Sequence, residues 1–237
     1  MLGGALLSVI AFLILTLAVM EHRLDGVDHV ARGFVHRPSH PVVQSSMEAA
    51  SFLGGQPGQI AVVCLGSVVL WRRRRRWGLA LPVIMAGAGI LQATAKWAID
   101  RPRPNLDPWG FPSAHVLSLV VLLGYVAYVL STSTVPQWWR RLGVAGCAAI
   151  VCTVAYSRMY LDAHWPSDVL GGFSVGLAYL LLAIWMIGRS EADAHAGGRE
   201  RPGADVEAIV PAVGVVVPLE VVAVEGVAAA QLEAHVA

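Results

Sequence analysis

Lysine is almost missing from this chain. Lys96 is the only one in 237 residues, and charged side chains of every kind make up 14% of the sequence, against about 25% in soluble domains. That shortfall excludes an ordinary soluble fold. Cysteine is scarce as well: Cys64, Cys147 and Cys152 all lie inside apolar runs, which offers neither a disulfide framework nor a thiolate metal site. The formal net charge is +1, so no nucleic-acid partner is implied.

What the chain does have is long apolar runs. Hydrophobic residues reach 56% and the mean hydropathy is +0.62, the composition of an integral membrane protein. A spanning helix needs about 20 mostly apolar residues. Six uncharged runs approach that length: Met1 to Met20, Ala49 to Trp71, Trp77 to Ala95, Ser113 to Trp139, Leu142 to Ser157 and Val169 to Gly188. The expected fold is all-α, a polytopic bundle of six transmembrane helices over residues 1–190. Gly54, Gly55 and Pro57 leave the start of the second span open. The first run has no basic residue ahead of it and is longer than the roughly 7–15 residues of a signal-peptide core, so it reads as a permanent helix. Residues 191–237 carry two basic and eight acidic side chains and then turn rich in Val and Ala. They read as a poorly ordered cytoplasmic tail without chemistry.

Orientation follows from the pentabasic run Arg72 to Arg76, because arginine-rich short loops stay on the cytoplasmic side. Parity then sends residues 21–48, 96–112 and 158–168 outward, while Arg140, Arg141 and the tail face inward. The first of those outer segments is polar and holds His22, His29, His36 and His40, with Pro38 and Pro41 breaking any helix at the last pair. It reads as an interfacial segment bordering a site rather than as a metal centre.

Chemistry-bearing residues collect in the other two outer segments and at the span that follows. Between His115 and Ser157 lie 41 residues, about enough at ~1.5 Å per residue to cross a ~30 Å core, turn and cross back. The two histidine segments therefore share one membrane face, and the short link from Pro104 to Pro112 brings Lys96 and Arg103 to it as well. Three cations, Lys96, Arg103 and Arg158, converge there without as many carboxylates, and intramembrane charges are costly unless they have a function. Such a cluster suits a phosphate, whose oxygens match the arginine fork and the lysine point charge. Ser113 and the backbone at Ala114 open the fourth helix, where a hydroxyl, free N–H groups and the positive dipole end add anion affinity.

Two histidines suit the remaining roles, because imidazole titrates near neutral pH. His164 has a carboxylate four residues on, Asp168, to hold its ring, and is the expected nucleophile; His115 is the expected acid for the leaving oxygen. Asp162 competes with Asp168 for the orienting role, and Asp168 or Ser167 also fits a helix N-cap. Pro166 excludes a regular helical His164–Asp168 pair, so their contact has to come from a turn. Arg101 reads as a rim charge, and Trp165 and Tyr160 as interfacial aromatics or the walls of a lipid entrance. No acidic group has magnesium-ligand spacing, so neither a metal nor another cofactor is expected.

Lys96 to Pro104 as K-x6-R-P, Pro112 to His115 as P-S-x-H and Ser157 to Asp168 as S-R-x5-H-x3-D resemble the three signatures of the type 2 phosphatidic acid phosphatases (PAP2). That superfamily also contains bacterial acid phosphatases, glucose-6-phosphatase and vanadate-dependent haloperoxidases. The resemblance covers about residues 60–188 in detail and the six-helix plan more loosely. It implies that Lys96, Arg103 and Arg158 bind phosphate with help from Ser113 and Ala114, that His164 is the nucleophile, that His115 is the acid and that Asp168 orients His164. Ala114 departs from the usual glycine, where a methyl group could crowd the phosphate.

The expectation is thus a metal-independent lipid phosphate phosphatase of a bacterial cytoplasmic membrane, its site on the extracytoplasmic face. Phosphatidic acid, phosphatidylglycerol phosphate and undecaprenyl diphosphate are the candidate substrates. Two alternatives use the same pocket: a non-catalytic protein that binds or moves an anionic lipid, and vanadate-dependent haloperoxidase chemistry.

Overall fold

Uncharged runs become helices because a backbone in lipid has to satisfy its own hydrogen bonds. The computed structural model describes residues 1–35, 40–73 and 75–199. Among them it contains eight helices and no strand: α1 (Leu2–Met20), α2 (Asp25–Val35), α3 (Pro41–Leu53), α4 (Gln56–Arg73), α5 (Arg75–Ile99), α6 (Ala114–Ser131), α7 (Gln137–Tyr160) and α8 (Pro166–Arg199). Helices α1, α5, α6, α7 and α8 are each long and apolar enough to cross a membrane, and α3 with α4 passes the same test as one span bent by 46°. The all-helical, six-span plan holds.

The expected span boundaries need correction in two places. The second span starts not at Ala49 but at Pro41, which takes the first helical position behind His40, whose Nδ1 accepts from Val42 N at 3.2 Å. Proline is well placed there because its missing N–H has no helical partner to lose. The bend falls at Gly54 and Gly55, between α3 and α4. The fourth run does not continue to Trp139: α6 stops at Ser131, and Arg140 Nη1 of α7 donates to the Ser131 carbonyl at 2.8 Å. The polar outer segment contains the short helix α2, and its His36 lies outside the described residues, as does the tail beyond Arg199.

Helix α6 is the centre of the bundle. Leu117, Val121, Leu122 and Tyr125 pack with Trp77, Leu81, Ile84 and Ala88 of α5 and with Val175, Leu180 and Ile184 of α8. Its opposite side, Val116, Leu119, Val120 and Leu123, packs with Val151 and Val154 of α7. The Tyr125 hydroxyl donates to the Trp77 carbonyl at 2.7 Å and so ties the first turn of α5 to the later turns of α6. Outward-facing apolar residues such as Leu6, Leu7, Ile14 and Leu17 of α1 are exposed, as lipid-facing positions should be.

Two glycines set how close α8 comes to α6. A Cβ at Gly172 would lie 2.6 Å from the Ser113 carbonyl oxygen, and one at Gly176 would lie 2.9 Å from that of Leu117. Backbones meet directly along this seam, the arrangement that small residues four apart permit in membranes. It brings the first turn of α6 against the first turns of α8, and those two helix starts carry His115 and Asp168.

Candidate active site

Three corners of the bundle build the site. At the α7–α8 corner the chain turns through Asp162, which has a left-handed φ of 53°, and the N–H groups of Ala163 and His164 both bond back to the Arg158 carbonyl at 3.1 Å. Arg158 and His164 are thereby fixed relative to each other. Helix α8 then starts at Pro166, and Asp168 in its first turn accepts the Trp165 N–H on Oδ2 at 2.9 Å, the reach-back half of a capping box. The same Oδ2 lies 3.5 Å from His164 Nδ1. At that separation no hydrogen bond is formed, and Nδ1 has no other partner among the described residues. The His164–Asp168 contact does come from a turn, as Pro166 requires.

His164 is 2% exposed. Burial pushes its pKa down to about 4, with the nearby charges of Lys96 and Arg158 acting in the same direction and Asp168 opposing them. The ring is neutral at neutral pH.

The second corner is the α5–α6 loop. Lys96, in the last turn of α5, donates Nζ to the Trp109 carbonyl. Gly110 N donates to the Arg101 carbonyl at 2.6 Å, and Arg103 N to that of Asp107 at 2.8 Å, folding the loop onto itself. Gly110 is needed there: a Cβ would stand 3.1 Å from Asp168 Oδ2 and 3.3 Å from Arg103 Cγ. Ser113 is fully buried and its N–H donates to the Asp168 carbonyl at 3.0 Å, which spends one of the helix-start donors. Ala114 and His115 open α6 and line a cavity together with Gln56, Gln59, Gln92 and Ser118. The Ala114 methyl thus borders the cavity that His115 also borders.

The third corner is the break between α3 and α4. Gly54 packs against Val154, where a Cβ would come within 2.7 Å of Cγ1, and a Cβ at Gly55 would lie 3.7 Å from His115 Nε2. Ser51, buried just before the break, accepts from Arg158 Nη1 at 2.5 Å. Irregular backbone at membrane depth is tolerated where it lines a cavity, and here it makes room beside His115.

The structure brings together every residue expected at the site. Lys96, Arg103 and Arg158 all lie close enough to His115 for their charges to act on it, and His164 is within the same reach. Among the described residues, seven buried side-chain polar atoms lack a hydrogen-bond partner, and four of them are Arg103 Nε, Ser113 Oγ, Arg158 Nε and His164 Nδ1. Buried polar groups are rarely left unpaired, and three of these, on Arg103, Ser113 and Arg158, are hydrogen-bond donors of the kind that suit an anion. No three His, Cys, Asp or Glu side chains among the described residues converge as metal ligands would.

Arg101 is not a rim charge. Its side chain is 10% exposed; Nη1 donates to Asp168 Oδ1 at 2.9 Å and Ser167 Oγ at 2.6 Å, and Nη2 donates to Asp28 Oδ2 at 2.8 Å and Asp25 Oδ1 at 3.3 Å. Burial disfavours its charge, but the hydrogen bonds and charges of Asp28 and Asp168 outweigh that cost and hold its pKa above the ordinary value. Asp28 of α2, itself 2% exposed, also accepts from Ser167 N at 2.9 Å and Ser167 Oγ at 2.5 Å. It caps α8 from another helix. Asp162, the competing orienter, is instead held by Arg32 of α2, Nε to Oδ1 at 2.6 Å and Nη2 to Oδ2 at 2.8 Å. Trp165 packs edge-on against His29 and donates to the Pro102 carbonyl at 3.1 Å, and Tyr160 is buried. The one signal in the sequence that could have found Asp28 and Arg101 is that each is a charge in a segment expected to border the site.

The family model described as PAP2 superfamily matches residues 77–192. The chain is 26% identical over 182 residues to phosphatidylglycerophosphatase B of Bacillus subtilis, covering 72% of this chain and 88% of that protein. It is 30% identical over 159 residues to the decaprenylphosphoryl-5-phosphoribose phosphatase of Mycobacterium tuberculosis, covering 61% of this chain and 75% of that one. The crystal structure of a transmembrane PAP2-type phosphatidylglycerolphosphate phosphatase from Bacillus subtilis superposes with a TM-score of 0.72 at 23% identity, over 78% of this chain and 96% of that chain, a likeness of fold.

Proposed function

The chain belongs to the PAP2 superfamily, and on that premise we propose that it is a membrane lipid phosphatase that works through a phosphohistidine at His164. The observation that carries this reading is the group of orphaned donors on Arg103, Ser113 and Arg158 beside a neutral, buried imidazole. Lys96, Arg103 and Arg158 hold the phosphate and take up the charge that grows on its equatorial oxygens. His164 turns Nδ1 to Asp168, which leaves the Nε2 lone pair for attack on phosphorus. The P–N bond forms as the bond to the lipid oxygen breaks, and His115 gives that oxygen its proton. Water then attacks phosphorus, loses a proton to His115 and releases inorganic phosphate, which restores both rings.

The course of α5 supports a reading of the site's membrane face. Arg75 and Arg76 start this helix and Lys96 lies in its last turn, so the basic run and the site occupy opposite ends of one span. With those arginines cytoplasmic, as arginine-rich short loops tend to be, our reading is a site on the extracytoplasmic side of a bacterial inner membrane. A reporter fused after Arg76 is expected to score cytoplasmic; an extracytoplasmic score would invert this placement.

Phosphate release in detergent, with excess chelator, from a panel of lipid mono- and diphosphates tests the reaction. We expect release by the wild type and none above background from His164→Ala. Equal release by the two proteins, or no release from any lipid, would overturn the reading, and loss of activity with chelator would remove its metal independence. ³¹P spectra of samples quenched in alkali, where a P–N bond survives, are expected to carry a phosphohistidine signal only while His164 is present.

A further inference from the structure

Hydrolysis of a phosphohistidine needs a water that reaches phosphorus from the side opposite the His164 ring, because attacking and departing atoms stand roughly in line. That is the side the lipid oxygen leaves from, and the side of its proton donor, His115. His115 lines a cavity of about 380 Å³ between α4, α5 and α6, whose other polar walls are Gln56, Gln59, Gln92 and Ser118. Among the described residues that line it, His115 alone titrates near neutral pH. A proton released in this cavity therefore has one side chain to go to.

The remaining polar wall is rich in acceptors. Gln59 Nε2 donates to the Gly54 carbonyl at 2.8 Å, which leaves its amide oxygen. Ser118 Oγ donates back to the Ala114 carbonyl at 2.7 Å, which leaves the lone pairs of the hydroxyl. Gln92 Oε1 is buried without a hydrogen-bond partner among the described residues. Gln92 stands one turn before Lys96 on α5, and Ser118 one turn after His115 on α6, so each shares a helix face with a group assigned to the phosphate or its proton. Acceptors suit a molecule that donates, and the cavity has room for several waters at about 30 Å³ each. Carboxamides inside a membrane bundle are costly unless such a partner meets them.

We infer that this cavity is the water site of the second half-reaction and that Gln92, with Gln59 and Ser118, holds the water that cleaves the P–N bond. The inference rests on the phosphohistidine reading. The water oxygen bonds to phosphorus, the P–N electron pair returns to Nε2 of His164, one water proton passes to His115, and inorganic phosphate leaves. By accepting one O–H, Gln92 turns the water so that a lone pair faces phosphorus and the other O–H faces His115.

Phosphatidic acid and farnesyl diphosphate in detergent, with methanol as a second acceptor, test it. Water and methanol compete for the same phosphohistidine, and the ratio of methyl phosphate to inorganic phosphate counts only molecules that turn over. Gln92→Leu is expected to raise that ratio about fivefold, the scale of one hydrogen bond, and to raise the phosphohistidine signal in alkali-quenched ³¹P spectra at steady state. Gln92→Glu, which keeps an acceptor oxygen at the same reach, is expected to hold the ratio at or below the wild-type value. Ser118→Ala should move it as Gln92→Leu does, by less, and reads the same site if the leucine variant does not fold. Variants whose turnover falls while the ratio and the phosphohistidine signal stay at wild type would overturn the water site and leave the phosphatase reading intact. A wild type that shows neither methyl phosphate nor a phosphohistidine signal from either lipid would sink the covalent reading and this inference with it.

Discussion

Arg101 Nη1 lies 2.9 Å from Asp168 Oδ1 while the other oxygen of the same carboxylate faces His164 Nδ1 at 3.5 Å. One buried carboxylate is thus shared between a permanent cation and an imidazole, and the cation is in turn divided between Asp168 on α8 and Asp28 on α2. Removing either end of this chain of charges should move the imidazole in a definite direction.

Arg101→Gln leaves Asp168 with an unbalanced charge beside His164, so the ring gains affinity for a proton and the acid limb of the kcat/KM profile shifts toward neutral pH. Asp28→Asn leaves Arg101 to Asp168 and the more exposed Asp25, and the limb is expected to stay or to move to lower pH. Lys96, Arg158 and His115, the other groups facing His164, are the same in both variants. Arg101→Gln should also cost about 3–5 kcal/mol of stability, because it strands two buried carboxylates. Profiles that fall in height without moving would assign the network to structure alone.

The wild-type protein should lose stability on acidification in a window set by His164. In the folded chain the ring resists protonation down to about pH 4, whereas an unfolded histidine takes its proton near 6.5. The unfolded state therefore binds more protons between those values, and stability falls as pH drops through them, by about 3 kcal/mol in total. Melting temperatures in detergent across this range are expected to fall more steeply for wild type than for His164→Asn. Parallel curves would contradict the assignment.

Ser51 accepts from Arg158 Nη1 and should act through that guanidinium. Ser51→Ala is expected to weaken competitive inhibition by inorganic phosphate and to raise KM by about fivefold, the equivalent of one hydrogen bond of about 1 kcal/mol, with a smaller change in kcat. Ser51→Thr keeps the hydroxyl and should recover most of the loss.

Gly172→Ala should separate the two halves of the site. Its new methyl would meet the Ser113 carbonyl, a backbone atom with no room to yield, so α8 has to shift away from α6. Overpacking of this kind costs about 1–3 kcal/mol, and activity should fall with it. Gly188→Ala on the same helix has nothing within 4 Å of the added carbon and serves as the silent control in melting and activity assays.

Much of this architecture is already visible along the chain. Hydropathy depends only on local composition, so the runs that became α1, α5, α6, α7 and α8 could be read one at a time. The spacings around Lys96, His115 and His164 are legible for the same reason: each motif sits at the end of one run, and parity brings the three ends to one face. The second span misled because Pro41 and the glycine pair at 54 and 55 look locally like loop, whereas in the fold the stretch is a helix bent by 46° whose break lies against Val154 of α7.

By itself the sequence determined a polytopic all-helical membrane chain, with a lone lysine, two arginines and two histidines carried to a shared surface. Tertiary structure decided what stands behind them. Arg101 meets Asp28 across 73 positions and Arg158 meets Ser51 across 107. Such pairings depend on which helix lies beside which, and on how closely glycines let two backbones approach, neither of which a one-dimensional pattern of hydropathy encodes. A charge in a loop is the same letter whether water or a buried carboxylate surrounds it, and only the packed bundle sets the difference.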